Sequence, residues 1–152
     1  MICSSCKKGE TSVVDSRPTE DGTTIRRRRQ CVCGHRFTTF ERVQFRELMV
    51  VKKNGRKSSF DRDKLAKSIF IALKKRPIDT DTVEKFISKI SRSLEEIGQA
   101  EISSNTIGTM VMEGLKELDP VAYGRFASVY RNFKEEKDFV QFVDRLDVYK
   151  KR

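Results

Sequence analysis

All four cysteines of the chain lie within its first 33 residues, as Cys3-x-x-Cys6 and Cys31-x-Cys33. Only short strand signals lie between the pairs: Val13-Val14, then the turn Glu20-Asp21-Gly22-Thr23, then Thr23-Thr24-Ile25. Arg36 to Phe40 is a third candidate strand, rich in β-formers. A segment this small buries too little apolar surface to fold without a staple. Two close cysteine pairs at the ends of a strand-turn-strand unit suit one tetrahedral zinc ion, and four protein ligands leave no open position. The spacing predicts a structural zinc, one per chain, on Cys3, Cys6, Cys31 and Cys33. Gly34 lets the chain turn around the metal. His35, the single histidine, stands two residues beyond Cys33 and is either an alternative ligand or a neighbour of the site.

The second constraint is charge. The chain carries 32 Lys and Arg against 22 Asp and Glu, a formal +10. Residues 1–46 hold ten of the cations and five of the anions, so half the excess sits in under a third of the chain. That balance points to a polyanionic partner. Its densest part is Arg26-Arg27-Arg28-Arg29, with Arg17 and Arg36 nearby. On a strand, Arg26 and Arg28 face one way and Arg27 and Arg29 the other. Guanidinium groups fork onto phosphates and guanine edges, so these six arginines are candidate nucleic-acid contacts. The N-terminus has no signal-peptide pattern and the chain has no long apolar run, which predicts a cytoplasmic protein with no membrane partner.

Past residue 46 the pattern changes. Leu48–Lys52 reads as a strand and Asn54-Gly55 as a hairpin turn. Asp61 can cap a helix bearing Leu65, Ile69 and Leu73, with Pro77 beyond its end. A second helix is expected from about Thr80 to Ile97, with Gly98 ending it. A third is capped by Ser103 or Ser104, and Asp119-Pro120 opens a fourth with Phe126, Val129, Tyr130 and Phe133 on its face. Lys134 to Lys137 either continues that helix or breaks it, and the tail reads as helical or frayed. The Lys52–Lys57 hairpin, followed by a helix start and Lys64, can cradle phosphates, although the P-loop spacing is absent. No nucleophile motif or acidic metal cluster argues for catalysis.

Taken in order, Cys3-x-x-Cys6, Val14-Asp15-Ser16-Arg17, Arg26 to Cys31 and Arg36 to Arg42 resemble the NrdR family of bacterial repressors of ribonucleotide reductase genes. The resemblance continues through Val50 to Gly55, Phe60-Asp61, Lys74 to Pro77 and Val121 to Arg131. It implies an α+β chain: a DNA-binding zinc ribbon over 1–45, a mainly helical ATP-cone with a β-hairpin over 46–136, and a tail over 137–152. It implies a non-enzymatic repressor that binds double-stranded operator DNA and whose homo-oligomeric state follows bound ATP or dATP. It implies that Lys52, Lys53 and Lys64 meet phosphates, with Val50, Val51, Phe60 and Tyr130 near the nucleoside. Two positions depart from the family: its second knuckle is usually Cys-x-x-Cys, and an aspartate is frequent where Asn54 stands. An RNA- or polymerase-binding ribbon and a nucleotide hydrolase are the competing readings.

Overall fold

A computed structural model describes residues 1–44 and 46–150, with side chains described through residue 146. Residue 45 and the last two residues of the expected tail lie outside the described residues. The chain forms two units, Met1–Phe45 and Arg46–Arg152.

The first unit is a three-stranded antiparallel sheet of β1 (Thr11–Pro18), β2 (Thr24–Cys31) and β3 (Arg36–Arg42), with β2 central. The strand expected near Thr23–Ile25 is longer and takes in the whole arginine run. Paired on both sides, β2 satisfies its backbone groups through residues whose side chains would otherwise prefer water. Asp21 shapes the β1–β2 turn by accepting from the Thr23 N–H, and Gly22 supplies φ +68°. A bulge at Val14 shifts the register between Val13 and Asp15. Among the described residues of this unit only Cys3, Thr24 and Cys31 are buried, and no aliphatic side chain is.

The second unit has a small sheet and five helices. β4 (Met49–Val51) pairs antiparallel with β5 (Lys57–Ser59) and parallel with β6 (Glu101–Ser103). The hairpin turn is a three-residue loop. Lys52 and Arg56 close it, Gly55 sits at φ +81°, and the Asn54 side chain accepts from the Arg56 N–H. The helices are α1 (Arg62–Ala72), α2 (Thr80–Glu96), α3 (Ser104–Leu118), α4 (Pro120–Tyr130) and α5 (Glu136–Lys150). Asp61, Asp79, Ser103 and Asp119 cap the first four of these, each through its own side chain. The core gathers Ile69 of α1, Ile87 and Leu94 of α2, Val111 and Leu115 of α3 and Ala127 of α4.

Three features differ from the sequence reading. β6 was not expected, because its three residues pair with a strand some fifty positions away. Val129 is 82% exposed, since Ala122, Tyr123 and Ala127 define the buried stripe of α4 and Val129 falls off it. Phe133 lies beyond the end of α4 and packs its ring against Phe142 of α5. Among the described residues no helix is long and apolar enough to cross a membrane.

Asp119 ties three segments together. It ends α3 and caps α4, accepting from the Ala122 N–H at 2.8 Å, and its second oxygen accepts from Arg76 Nε at 2.8 Å. Burial pushes its carboxyl up, but the Ala122 N–H and the Arg76 guanidinium outweigh burial and hold it below the ordinary 3.8. A depressed carboxylate contributes stability that is complete above its unfolded value and is lost as pH falls through the folded one. Asp119→Ala removes both the cap and the ion pair and is expected to cost about 3 kcal/mol in urea unfolding at neutral pH. Asp119→Asn, which keeps the cap acceptor, should cost less, and its deficit against wild type should shrink below about pH 4.

Candidate functional site

The four cysteine sulfurs lie within 4.8 Å of one another. Cys3 Sγ stands 3.7 Å from Cys33 Sγ, and Cys6 Sγ stands 3.7 Å from Cys31 Sγ. Zinc–sulfur bonds of about 2.3 Å at tetrahedral angles require sulfur–sulfur edges of about 3.8 Å, so the set fits one zinc ion. The short Cys31-x-Cys33 knuckle still delivers both sulfurs. Gly34 at φ +87° donates its N–H to the Cys31 carbonyl, and the Cys31 N–H donates to the His35 carbonyl, closing a tight loop around the pair. His35 is outside the sulfur cluster. Its Nε2 is 3.4 Å from Ser4 Oγ and its ring stacks on Phe37 at 5.7 Å.

The protons of the cluster are unevenly held. Backbone N–H groups of Lys8 and Gly9 donate to Cys6 and pull its thiol down to about 6. At Cys31 the Cys33 N–H pulls downward, but burial and the neighbouring thiols together push it up to about 12. Four thiolates cannot share this space unless a cation neutralises them. The donor set is therefore that of a closed structural zinc site, with no position left for substrate. Gly9, which sequence reasoning did not single out, completes it: a Cβ there would stand 2.8 Å from Cys31 Sγ and 3.6 Å from Cys6 Sγ.

The register sorts the arginines. Arg26 pairs with Arg17 and Phe40, Arg28 with Asp15 and Thr38, and Gln30 with Arg36. Directly opposed residues share a face, so Arg17, Arg26, Arg28 and Arg36 lie on one side of the sheet. Arg42, beside Thr24 and 5.1 Å from the Phe40 ring, joins them; sequence reasoning passed over it. Arg27 and Arg29 lie on the other face and are engaged there. Arg27 pairs with Glu41 at 2.8 Å, and Arg29 Nε donates to Thr39 Oγ1 at 3.1 Å.

In the second unit a cavity of about 510 Å³ opens between the hairpin, α1, α3 and α4. Val50, Lys52, Lys53, Phe60, Lys64 and Tyr130 all line it; Val51, whose side chain alternates to the other side of β4, is not among the lining residues. Leu65, Ile107, Val111 and Phe126 give it an apolar wall. Lys57, part of the expected basic hairpin, is paired with Glu101 instead. Asp61 already accepts from the N–H groups of Asp63 and Lys64, so positive charge at this helix start comes from lysine side chains rather than exposed N–H groups.

Residues 1–41 match a family profile described as the NrdR-like transcriptional repressor N-terminal domain, and residues 48–136 match the ATP cone domain. A protein of Pelagibacter ubique named transcriptional repressor NrdR is 88% identical over 152 residues, all of both chains. The chain belongs to the NrdR family of transcriptional repressors. Its NrdR relative from Azorhizobium caulinodans is 62% identical over 97% of this chain and 86% of its own, and that from Rhodospirillum rubrum 60% over 96% and 97%. The family is regulatory and non-enzymatic. It joins a zinc ribbon to an ATP-cone, the two units whose sulfur cluster and cavity are described above.

Metal analysis of the purified chain is expected to find near one zinc per chain. Cys33→Ser should lose it and His35→Ala should keep it. Gly9→Ala, which crowds Cys31, should weaken zinc retention against a chelator on the order of tenfold.

Proposed function

We propose that this chain represses transcription of ribonucleotide reductase genes by binding double-stranded operator DNA, and that ATP or dATP controls it by changing its homo-oligomeric state. One observation carries the reading: a stapled sheet with an arginine-rich face and a lysine-mouthed apolar cavity occur in one chain of a repressor family. A zinc ion on Cys3, Cys6, Cys31 and Cys33 holds the ribbon. Arg17, Arg26, Arg28 and Arg36 contact the duplex, while Arg27 and Arg29 brace the sheet from behind. The cavity takes an adenine nucleotide with its base on the apolar wall and its phosphates among Lys52, Lys53 and Lys64. The protein works in the cytoplasm and joins the nucleoid when bound.

A nucleotide shifts assembly only by binding one oligomeric form better than another, and the coupling is reciprocal. Operator DNA should therefore change nucleotide affinity by the same factor that nucleotide changes operator affinity.

Two measurements test the reading. In operator binding followed against salt, Arg26→Ala/Arg28→Ala should weaken affinity and reduce the salt slope by about two if both meet phosphates. Arg27→Ala/Arg29→Ala should lower ribbon stability and leave that slope in place. An unchanged slope in the first variant removes this face from the interface. Calorimetry with light scattering on wild type and on Lys52→Ala/Lys64→Ala should show nucleotide heat and a change in molar mass that the variant loses. One molar mass in every ligand state removes the switch.

A further inference from the structure

Helix α3 contains two glycines in its interior, where glycine is less favourable than alanine. Each sits under an aromatic ring. A Cβ on Gly114 would stand 2.0 Å from Phe86 Cε2, and this contact packs α2 on α3. A Cβ on Gly108 would stand 2.1 Å, 2.4 Å and 2.8 Å from three atoms of the Tyr130 ring. Gly108 and Tyr130 both line the 510 Å³ cavity. The same close approach therefore serves packing at one glycine and shapes a binding pocket at the other.

The ring on Gly108 is fixed from several directions. Tyr130 Oη donates to the Asn105 carbonyl at 3.0 Å, one turn earlier on α3. Phe126 stacks beside it with centroids 6.0 Å apart. Lys53 Nζ, from the hairpin, lies 5.6 Å from the ring centroid. A ring pushed off its seat moves away from the α3 backbone, and the cavity it lines and Lys53 both adjoin it.

We infer that Gly108 is the seat that sets the width of the nucleotide pocket, holding the Tyr130 ring back against α3 so that the cavity stays open and Lys53 stays at its mouth. The inference rests on the proposal that this cavity binds an adenine nucleotide. Gly108 has no side chain to offer a ligand and acts through Tyr130, so it is a positioning residue. Its mutational effect should depend on the ring being present.

The test is a double-mutant cycle on the full zinc-loaded chain, with ATP binding read by calorimetry and unfolding read by thermal melt. Gly108→Ala is expected to weaken ATP at least tenfold. In a Tyr130→Ala background the same substitution should change ATP affinity less than twofold, because nothing remains to be displaced, and should raise the melting midpoint, because alanine is the better helix former. Equal ATP affinity in wild type and Gly108→Ala, or the same loss in both backgrounds, overturns the inference. If Gly108→Ala alone fails to fold while the double variant folds, the clash with the ring is established; failure of both overturns it. Pocket width is then read with Tyr130→Trp on the unchanged glycine, which should cost at least tenfold in ATP affinity, and undiminished binding there overturns the inference. Absence of ATP binding by wild type overturns the nucleotide reading itself, a result distinct from any of these.

Discussion

The ribbon depends on four sulfur atoms because it has almost nothing else inside. Its buried side chains, among the described residues, are two cysteines and a threonine. A sheet with so small an interior gains little from apolar burial, and its stability has to come from closing the metal site. Cys31 is both a ligand candidate and the last residue of β2, so the staple acts directly on the strand that carries the arginines. That linkage explains how four adjacent guanidinium groups are tolerated. Their mutual repulsion acts along a strand paired on both sides and anchored at its end, and the sheet cannot relax by dissolving. Arg27 and Arg29 are used within the sheet, on Glu41 and Thr39. Arg26 and Arg28 lie on the opposite face with Arg17 and Arg36.

The second unit meets a different constraint. Its core is conventional, and the informative part is what the core leaves open. β4 lies between β5 and β6, so its short hairpin is held over α3 and α4 instead of lying flat on the surface. Lys57 and Glu101 close one side of this sheet as an ion pair. Lys52 and Lys64 have no carboxylate partner within salt-bridge distance among the described residues, although Asp61 lines the same cavity. Cations gathered at the mouth of an apolar cavity repel one another until an anion arrives. Under the proposed function, such a pocket suits a ligand with a planar apolar group at one end and several negative charges at the other.

Much of this was legible beforehand, and the rest was not for identifiable reasons. The cysteine pairs could be read because metal chemistry fixes spacing within a few residues. The caps Asp61 and Asp119 could be read because capping is local, and the structure shows both side chains accepting N–H bonds from the first turn. β6 could not, because three residues between two helices carry no local signal and its partner is distant. The alternation of the arginines was visible, but which of them meet Glu41 and Thr39 depends on where those residues fall on β3, a matter of register. Gly9 and Gly108 were missed for a related reason. A glycine's role depends on what approaches it, a sulfur in one case and a ring in the other, and a sequence does not show the approach.

The small size of the arginine face bears on how repression could be controlled. Under the proposed function, the four arginines Arg17, Arg26, Arg28 and Arg36 would neutralise about as many phosphates, each contributing about 0.9 to the salt slope on duplex DNA. On that reading a single ribbon would bind weakly at cellular salt. Linking ribbons through assembly changes this without altering any contact, since each further ribbon binds at the effective concentration set by the first. Affinity then depends on how many ribbons are joined in a geometry that the operator can meet. Under the proposed function, a nucleotide pocket in the other unit has no need to reach the arginines. It is enough that the filled pocket favours an assembly whose ribbons match the operator, or one whose ribbons do not.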